Sequence, residues 1–334
     1  PVLYGMKETK SSGHWMGRIF RSAAKAANAA KSAWSGFQAW KERRTAKLSP
    51  VWILTVVATL AQTGIEFFGQ TATWMFQHLS GGNPMVQSAQ GTMRMMLNTA
   101  TSATGGPISD SVGARRLFKL SHGLIGLSAL AIGLLHLSGF LSLGNPVALP
   151  ALFILAGLGY IGRAGYSAGY GAIGQSAMVA TLAGQDEKVA TKIDSLFQVF
   201  LEIPGFLGPI LAGILILYGG PALTLAAATL AFFGAMSLGS LIVLPKVEKS
   251  SQEEGFVKKV TRGFVDVIKD PNLRWPMLHA IPLQSLWFLL YTPLAMFFAQ
   301  YFFAGGADNS FVELFKRIFG PEKLQNESGL FALV

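Results

Sequence analysis

The chain contains no cysteine and has few charged residues for its length. Only 13% of its 334 residues are Asp, Glu, Lys or Arg, about half of the roughly 25% typical of soluble globular domains. The absence of cysteine excludes a disulfide-stapled domain and a cysteine-ligated metal centre. A hydrophobic share of 51% excludes a disordered chain. Because so little charge cannot cover a soluble protein of this size, the composition predicts a polytopic membrane protein.

The sequence also lacks the short motifs of several catalytic classes. Its five histidines are scattered, without a H-E-x-x-H zinc motif, and there is no G-x-x-x-x-G-K-[ST] phosphate-binding loop. We therefore expect neither an enzyme nor an ATP-driven pump, and no metal, no cofactor and no nucleic-acid partner.

Seven stretches are long and apolar enough for membrane-spanning helices, which need about 20 such residues. The second is polar for a span, and the fourth is too long for one crossing. Helices satisfy their own backbone hydrogen bonds in lipid, so we expect an all-α helical bundle. The predicted spans are Val51–His78, Pro84–Ser109, Leu117–Gly139, Val147–Ala183, Ile193–Tyr218, Pro221–Leu244 and Trp275–Phe303.

The distribution of positive charge predicts the orientation. With a cytoplasmic N-terminus, 22 of the 27 Lys and Arg residues lie on the inside, and the three short outside loops have none. Residues 1–50 combine an apolar stripe with basic residues, which is typical of a helix on an anionic inner leaflet. A connector helix packed on the bundle is the alternative. The inner, plasma membrane is the expected location.

Polar side chains recur on one face of several predicted spans, at three- and four-residue spacing. Charges within membrane helices cost about 2.5–3.5 kcal/mol each and mark functional sites by default. Glu66, Arg94 and Arg163 lie near the middle of their spans, as does Glu202. The pattern predicts a polar cavity, although a structural charge network that joins helices is the alternative. The candidate substrate or proton pathway consists of Gln62, Glu66, Gln70, Arg94, Asn98, Arg163, Tyr166, Gln198, Glu202 and Gln284.

A loop motif follows the second span and carries a family resemblance. The segment reads G-P-I-S-D-S-V-G-A-R-R from Gly106 to Arg116. It resembles the G-x-L-A-D-x-x-G-R-[KR] signature of the major facilitator superfamily (MFS), although Ser111 and Ala114 depart from it. The resemblance implies a conformational role for the residues that match, which are Gly106, Asp110, Gly113, Arg115 and Arg116.

Two weaker similarities accompany this loop. Arg163 resembles the membrane-embedded arginine of the family's fourth helix, although Tyr166 and Ser167 replace the residues that usually follow it. In the fifth span, Gly208, Pro209 and Gly213 resemble a Gly-Pro signature of the family's antiporters. Simple helix kinking and close packing are the alternative explanation.

The resemblance implies an MFS-type bundle in which about seven of twelve expected transmembrane helices are present. The expected organisation is a basic segment (1–50), a six-helix half (51–244), a cytoplasmic connector (245–274) and the start of an incomplete second half (275–334). It further implies a secondary transporter that moves a small solute by alternating access, driven by a proton or an ion. The expected partners are the bilayer with its anionic inner-leaflet lipids, the solute and, as a candidate, protons.

Other functions remain open from the sequence alone. The same fold serves a lipid flippase or lysolipid transporter, and a nontransporting scaffold or receptor would share the helices. Glu66 and Glu202 are the candidate proton carriers, while Arg94 and Arg163 either neutralise them or bind an anionic solute.

Overall fold

The part of the chain that the computed structural model describes is helical and contains no strand. It comprises residues 50–163, 178–180, 182–183, 187–242, 256–272, 274–275, 278–279, 282 and 317. Six helices are defined there: α1 (Pro50–Leu79), α2 (Pro84–Val112), α3 (Ala114–Leu137), α4 (Ala148–Gly162), α5 (Glu187–Gly239) and α6 (Phe256–Lys269). The predicted all-α class is confirmed for these residues. The basic segment over residues 1–49 and most of the seventh predicted span lie outside them.

Three helices in this part of the chain are long and apolar enough to cross a membrane. They cover Val51–Leu79, Ala114–Leu137 and Lys188–Gly239. The second predicted span is also helical, as α2, but its amides, its arginine and its many small residues keep it out of this group. By length and composition, these three helices could cross a membrane.

The long helix α5 reverses direction at Gly220. Gly220 has φ 73° and ψ 175°, a conformation that glycine adopts without the steric penalty of a side chain. Before the reversal, α5 runs parallel to α1, since Phe200 pairs with Thr59 and Gly208 approaches Glu66. After it, α5 runs antiparallel, since Phe232 lies against Gly64. The fifth and sixth predicted spans thus form one hairpin along α1.

The second arm of α5 (221–239) also packs against α3, and this pairing builds an apolar core. Phe232 and Phe233 approach Gly126, while Leu225 lies against Gly133. An adjacent side of α3 leaves large apolar side chains exposed, as expected for a peripheral helix next to lipid; they are Leu120, Leu127, Leu130, Leu134 and Leu137.

The fourth predicted span differs from the structure in its length. A helix through Ala183 was expected, but α4 ends at Gly162, and Arg163 takes the extended angles φ −52° and ψ 126°. A side chain on Gly162 would lie 2.6 Å from the carbonyl oxygen of Ser121 and 2.9 Å from the amide nitrogen of Ile125. The close approach of α4 to α3 therefore requires glycine at this point.

Candidate functional site

Glu66 lies on α1 at the centre of a cluster of polar side chains. The amide Nε2 of Gln62, one turn earlier on the same helix, donates a hydrogen bond of 2.6 Å to the Glu66 Oε1. The Glu66 carboxylate also interacts electrostatically with the guanidinium groups of Arg163 and Arg94. A single carboxylate on α1 thus attracts bases from α4 and α2.

Arg163 immediately follows α4 and is almost completely buried, with 6% of its surface exposed. Its Nε and Nη1 atoms have no hydrogen-bond partner among the described residues. Because a buried guanidinium without hydrogen bonds is costly, the donors of Arg163 are suited to an acceptor that enters the cluster.

Arg94 reaches the cluster from α2 and lies over an aromatic ring. Its Cζ atom is 5.8 Å from the ring centroid of Tyr160, which is within the range of a cation–π interaction. Tyr160 is buried, and its hydroxyl accepts a hydrogen bond of 2.7 Å from the Gln90 Nε2. The edge of Tyr160 also packs against Phe68 of α1, at 5.8 Å between centroids. These contacts hold Arg94 and Tyr160 in place within the cluster.

The described charges of the cluster do not balance. Two guanidinium groups, Arg94 and Arg163, face one carboxylate, Glu66, and the two bases also repel each other. Among the described residues, the buried Nε and Nη1 atoms of Arg163 have no acceptor, and a bound anion would supply one. The arrangement is therefore chemically suited to a carboxylate, a phosphate or another small anion.

Further amide groups close to these charges extend the polar region. Asn98 lies one turn after Arg94 on α2, is 4% exposed, and both polar atoms of its amide have no hydrogen-bond partner among the described residues. The Oε1 atom of Gln62 is likewise buried and unpaired there. Buried amides normally pair, so these groups are suited to a bound solute or water. Gln70 is half-buried one turn beyond Glu66 on α1.

The Gly-Pro motif lies directly against the carboxylate-bearing residue. A side chain on Gly208 would come within 2.6 Å of the Glu66 Cβ and 2.7 Å of its Cγ. Gly208 and Gly213 are buried, and Pro209 is half-buried between them within the first arm of α5. The motif therefore brings α5 into contact with Glu66.

The loop motif between α2 and α3 has a separate set of contacts. Gly113 has φ 89° and separates the two helices, which favours glycine at this position. Arg115 donates a hydrogen bond through Nη2 to the carbonyl oxygen of Ser240, just after α5. Gly106, Asp110 and Arg116 are exposed. The motif thus connects the α2–α3 loop to the end of the hairpin.

The remaining candidate residues are placed differently. Gln198 and Glu202 are exposed on the first arm of α5, so the structure does not bury them with Glu66. Tyr166 and Gln284 lie outside the described residues. Within the described ranges, no three or more metal-ligating side chains come together.

Sequence reasoning missed Tyr160 and gave Gln90 no place in the site. Tyr160 precedes Arg163 by three residues in an otherwise apolar helix, a spacing that puts two side chains on one face. The hydroxyl group of Tyr160 was the feature of the sequence that could have identified this residue. Its pairing with Gln90 joins positions 70 residues apart in the chain, which no local pattern encodes.

Comparison with protein-family models and with curated proteins finds no match to this chain. The functional assignment therefore depends on the chemistry of the residues themselves. The polar cluster of Glu66, Arg94 and Arg163 is the feature with the clearest chemical consequence.

Proposed function

We propose that the protein is a secondary active transporter of the MFS type, in which Glu66, Arg94 and Arg163 form the solute and proton site. One observation carries this proposal: the carboxylate of Glu66 on α1, a helix with the length and composition of a membrane span, interacts electrostatically with a base on α2 and with a base that follows α4. Each such charge costs about 2.5–3.5 kcal/mol in a bilayer centre. A scaffold or receptor would gain nothing from such buried charges, whereas a transporter can use them to bind its solute.

The charge balance of the cluster supports an anionic solute. With Glu66 ionised, the three groups carry one net positive charge, which a monoanion would neutralise. When Glu66 takes up a proton, it attracts Arg163 less, and the Nε and Nη1 donors of Arg163 can bind the anion. Protonation of Glu66 and binding of the anion therefore favour one another, which is the thermodynamic basis of symport.

The contacts around the cluster support a conformational role for α5. Because Gly208 touches Glu66, a movement of the first arm of α5 changes the surroundings of the carboxylate. Pro204 and Pro209 weaken the helix on either side of this contact. Alternating access in the plasma membrane, with the N-terminus in the cytoplasm, completes the proposal.

Transport by the full chain in proteoliposomes tests this function. Uptake of lactate, succinate and inorganic phosphate is measured under an imposed proton gradient, with protein-free vesicles as background. Glu66→Gln should abolish the dependence of uptake on the proton gradient, because glutamine cannot carry the proton. Arg163→Gln should lower uptake by at least about tenfold, the equivalent of one charge-assisted hydrogen bond.

Ser128→Ala is the matched control. Ser128 is a buried polar residue of α3 whose hydroxyl, among the described residues, bonds its own helix at Leu124, so uptake by this variant should equal that of the parent. Uptake of all three anions at the protein-free level by the folded parent would argue for the scaffold or receptor instead. An unchanged proton dependence in Glu66→Gln would remove Glu66 from the proton pathway.

A further inference from the structure

The helix α6 exposes two neighbouring flanks of opposite character. Val257, Val265 and Ile268 form its apolar flank and are 75%, 38% and 60% exposed. Their spacing returns them to one side of an α-helix, within about a quarter of a turn. Lys258, Arg262 and Lys269 form its basic flank, which is also exposed and directly borders the apolar one. Such a border is typical of helices that lie in a membrane interface.

We propose that α6 lies in the headgroup region of an anionic lipid leaflet, with the apolar flank at the acyl boundary and the basic flank on the lipid phosphates. This site is separate from the solute cluster and does not depend on the transport proposal. It assigns a lipid-binding role to a helix that the sequence identified only as a connector.

The charge of α6 favours an anionic surface as the occupant. The helix carries four bases and one acid, Asp266. Each Lys or Arg near an anionic leaflet contributes about 1 kcal/mol, or about a fivefold change in the binding constant. An anionic leaflet complements both flanks of α6, whereas a neutral protein surface complements only the apolar flank.

The residues after α6 continue the same surface. Trp275 and Leu278 are 55% and 50% exposed. The Arg274 guanidinium lies 5.5 Å from the Trp275 ring centroid. Tryptophan is enriched where membrane meets water, because its ring is apolar and its N–H needs a polar partner. This pair therefore extends the interfacial surface beyond Lys269.

The packing of α6 fixes its position relative to the bundle. It contacts α2, the second predicted span. This contact is consistent with the connector position next to the inner leaflet, which the positive-inside pattern predicts.

The absence of cysteine allows a direct test. Ile268→Cys places one thiol on the apolar flank of the full chain, and an environment-sensitive fluorophore is attached to it. The labelled protein is reconstituted in nanodiscs of phosphatidylcholine alone or with phosphatidylglycerol. Quenching by iodide in water is compared with quenching by lipids that carry a shallow nitroxide. Ser142→Cys, in the exposed loop between α3 and α4, is the matched label control.

We expect the Ile268 label to be quenched by nitroxide lipids in anionic nanodiscs and to emit at shorter wavelength there. Replacing the three bases with glutamine should shift half-maximal quenching to a higher anionic-lipid fraction, by at least about fivefold in apparent affinity. The Ser142 label should respond mainly to iodide in both lipids. Lys192→Gln, at an exposed position of α5, should leave the quenching curve unchanged.

Two results would overturn the proposal. Equal iodide quenching of the Ile268 label in both lipids would show that the flank is in water. Equal protection in both lipids and in detergent would show that protein covers it, either a second copy or another segment of the chain. Because the substituted side chains are exposed, unchanged thermal unfolding of the triple variant confirms that folding is not the cause.

Discussion

Glu66 lies where four helices contribute to one side chain's surroundings. Gln62 of α1 donates to it, Arg94 of α2 and Arg163 of α4 attract it, and Gly208 of α5 touches it. Glu202 has a similar place in its own span but is exposed. The number of helices that converge, rather than depth in a span, distinguishes these two carboxylates.

Gly208 provides a prediction at this scale. In Gly208→Ala the new methyl group would overlap with the Cβ and Cγ atoms of Glu66, so α5 must move away from α1. We expect the free energy of unfolding to fall by about 1–3 kcal/mol, as for other overpacked sites. Chemical unfolding in mixed micelles, followed by far-ultraviolet circular dichroism, measures this change.

Gly205→Ala is the control, because it lies on the same helix and a side chain there meets no atom within 4 Å. Because alanine is the better helix former by about 1 kcal/mol at an interior position, its unfolding free energy should equal that of the parent or rise. Equal losses in both variants would mean that the contact with Glu66 does not explain the effect.

The helices themselves show which features local patterns predict. Long apolar runs predicted α1, α3 and both arms of α5, because helices that bury apolar residues have an apolar composition. They overestimated the fourth helix, since Gly162 and Arg163 are compatible with a helix in isolation. At the end of α4, Gly162 approaches the backbone of α3 at Ser121, a contact that no local pattern reveals.

The bond between Arg115 and Ser240 gives a prediction for the elements it joins. Arg115→Gln removes the charged donor that holds the α2–α3 loop to the end of α5. A charged hydrogen bond contributes about 1.5–3 kcal/mol. Hydrogen–deuterium exchange of residues 113–118 and 237–242 should therefore become at least about tenfold faster.

Arg116 is the neighbouring control, since it has the same side chain and is exposed. Exchange in Arg116→Gln should match the parent at both segments. If the two variants exchange at the same rate, the loop is held by backbone contacts such as that of the Gly113 amide with the Ser109 carbonyl, at 2.7 Å.

The partition of charge operates at the scale of the whole molecule. Most Lys and Arg residues lie in the N-terminal segment and in alternate connections between helices, while the described cluster holds two of the few bases inside spans. The low charged fraction thus reflects two populations. We predict that one orients the helices in the membrane and that the other serves the proposed solute site.

The orientation predicts which loops face each side of the membrane. Ser111 and Ser142 are exposed and lie on either side of α3. If α3 crosses the membrane as the positive-inside rule requires, single cysteines at these positions will lie on opposite sides. In intact cells, a membrane-impermeant maleimide should label Ser142→Cys but label Ser111→Cys only after permeabilisation.

The absence of native cysteine makes this experiment specific. The parent chain, which should not react, is the control for background labelling. Labelling of both positions from outside would show that α3 does not span, and the reversed pattern would invert the predicted topology.

Composition and periodicity by themselves determined the helical class, the approximate helix positions and the residues able to carry charge into the bundle. They do so because the hydrophobic effect acts on each segment through its own residues. Only the tertiary structure decided that Glu66 meets Arg94 and Arg163 while Glu202 stays exposed, and that Tyr160 joins them through Gln90. Those outcomes depend on the reversal at Gly220 and on glycines that let helices approach, and such contacts join residues too distant in sequence for any local pattern to encode.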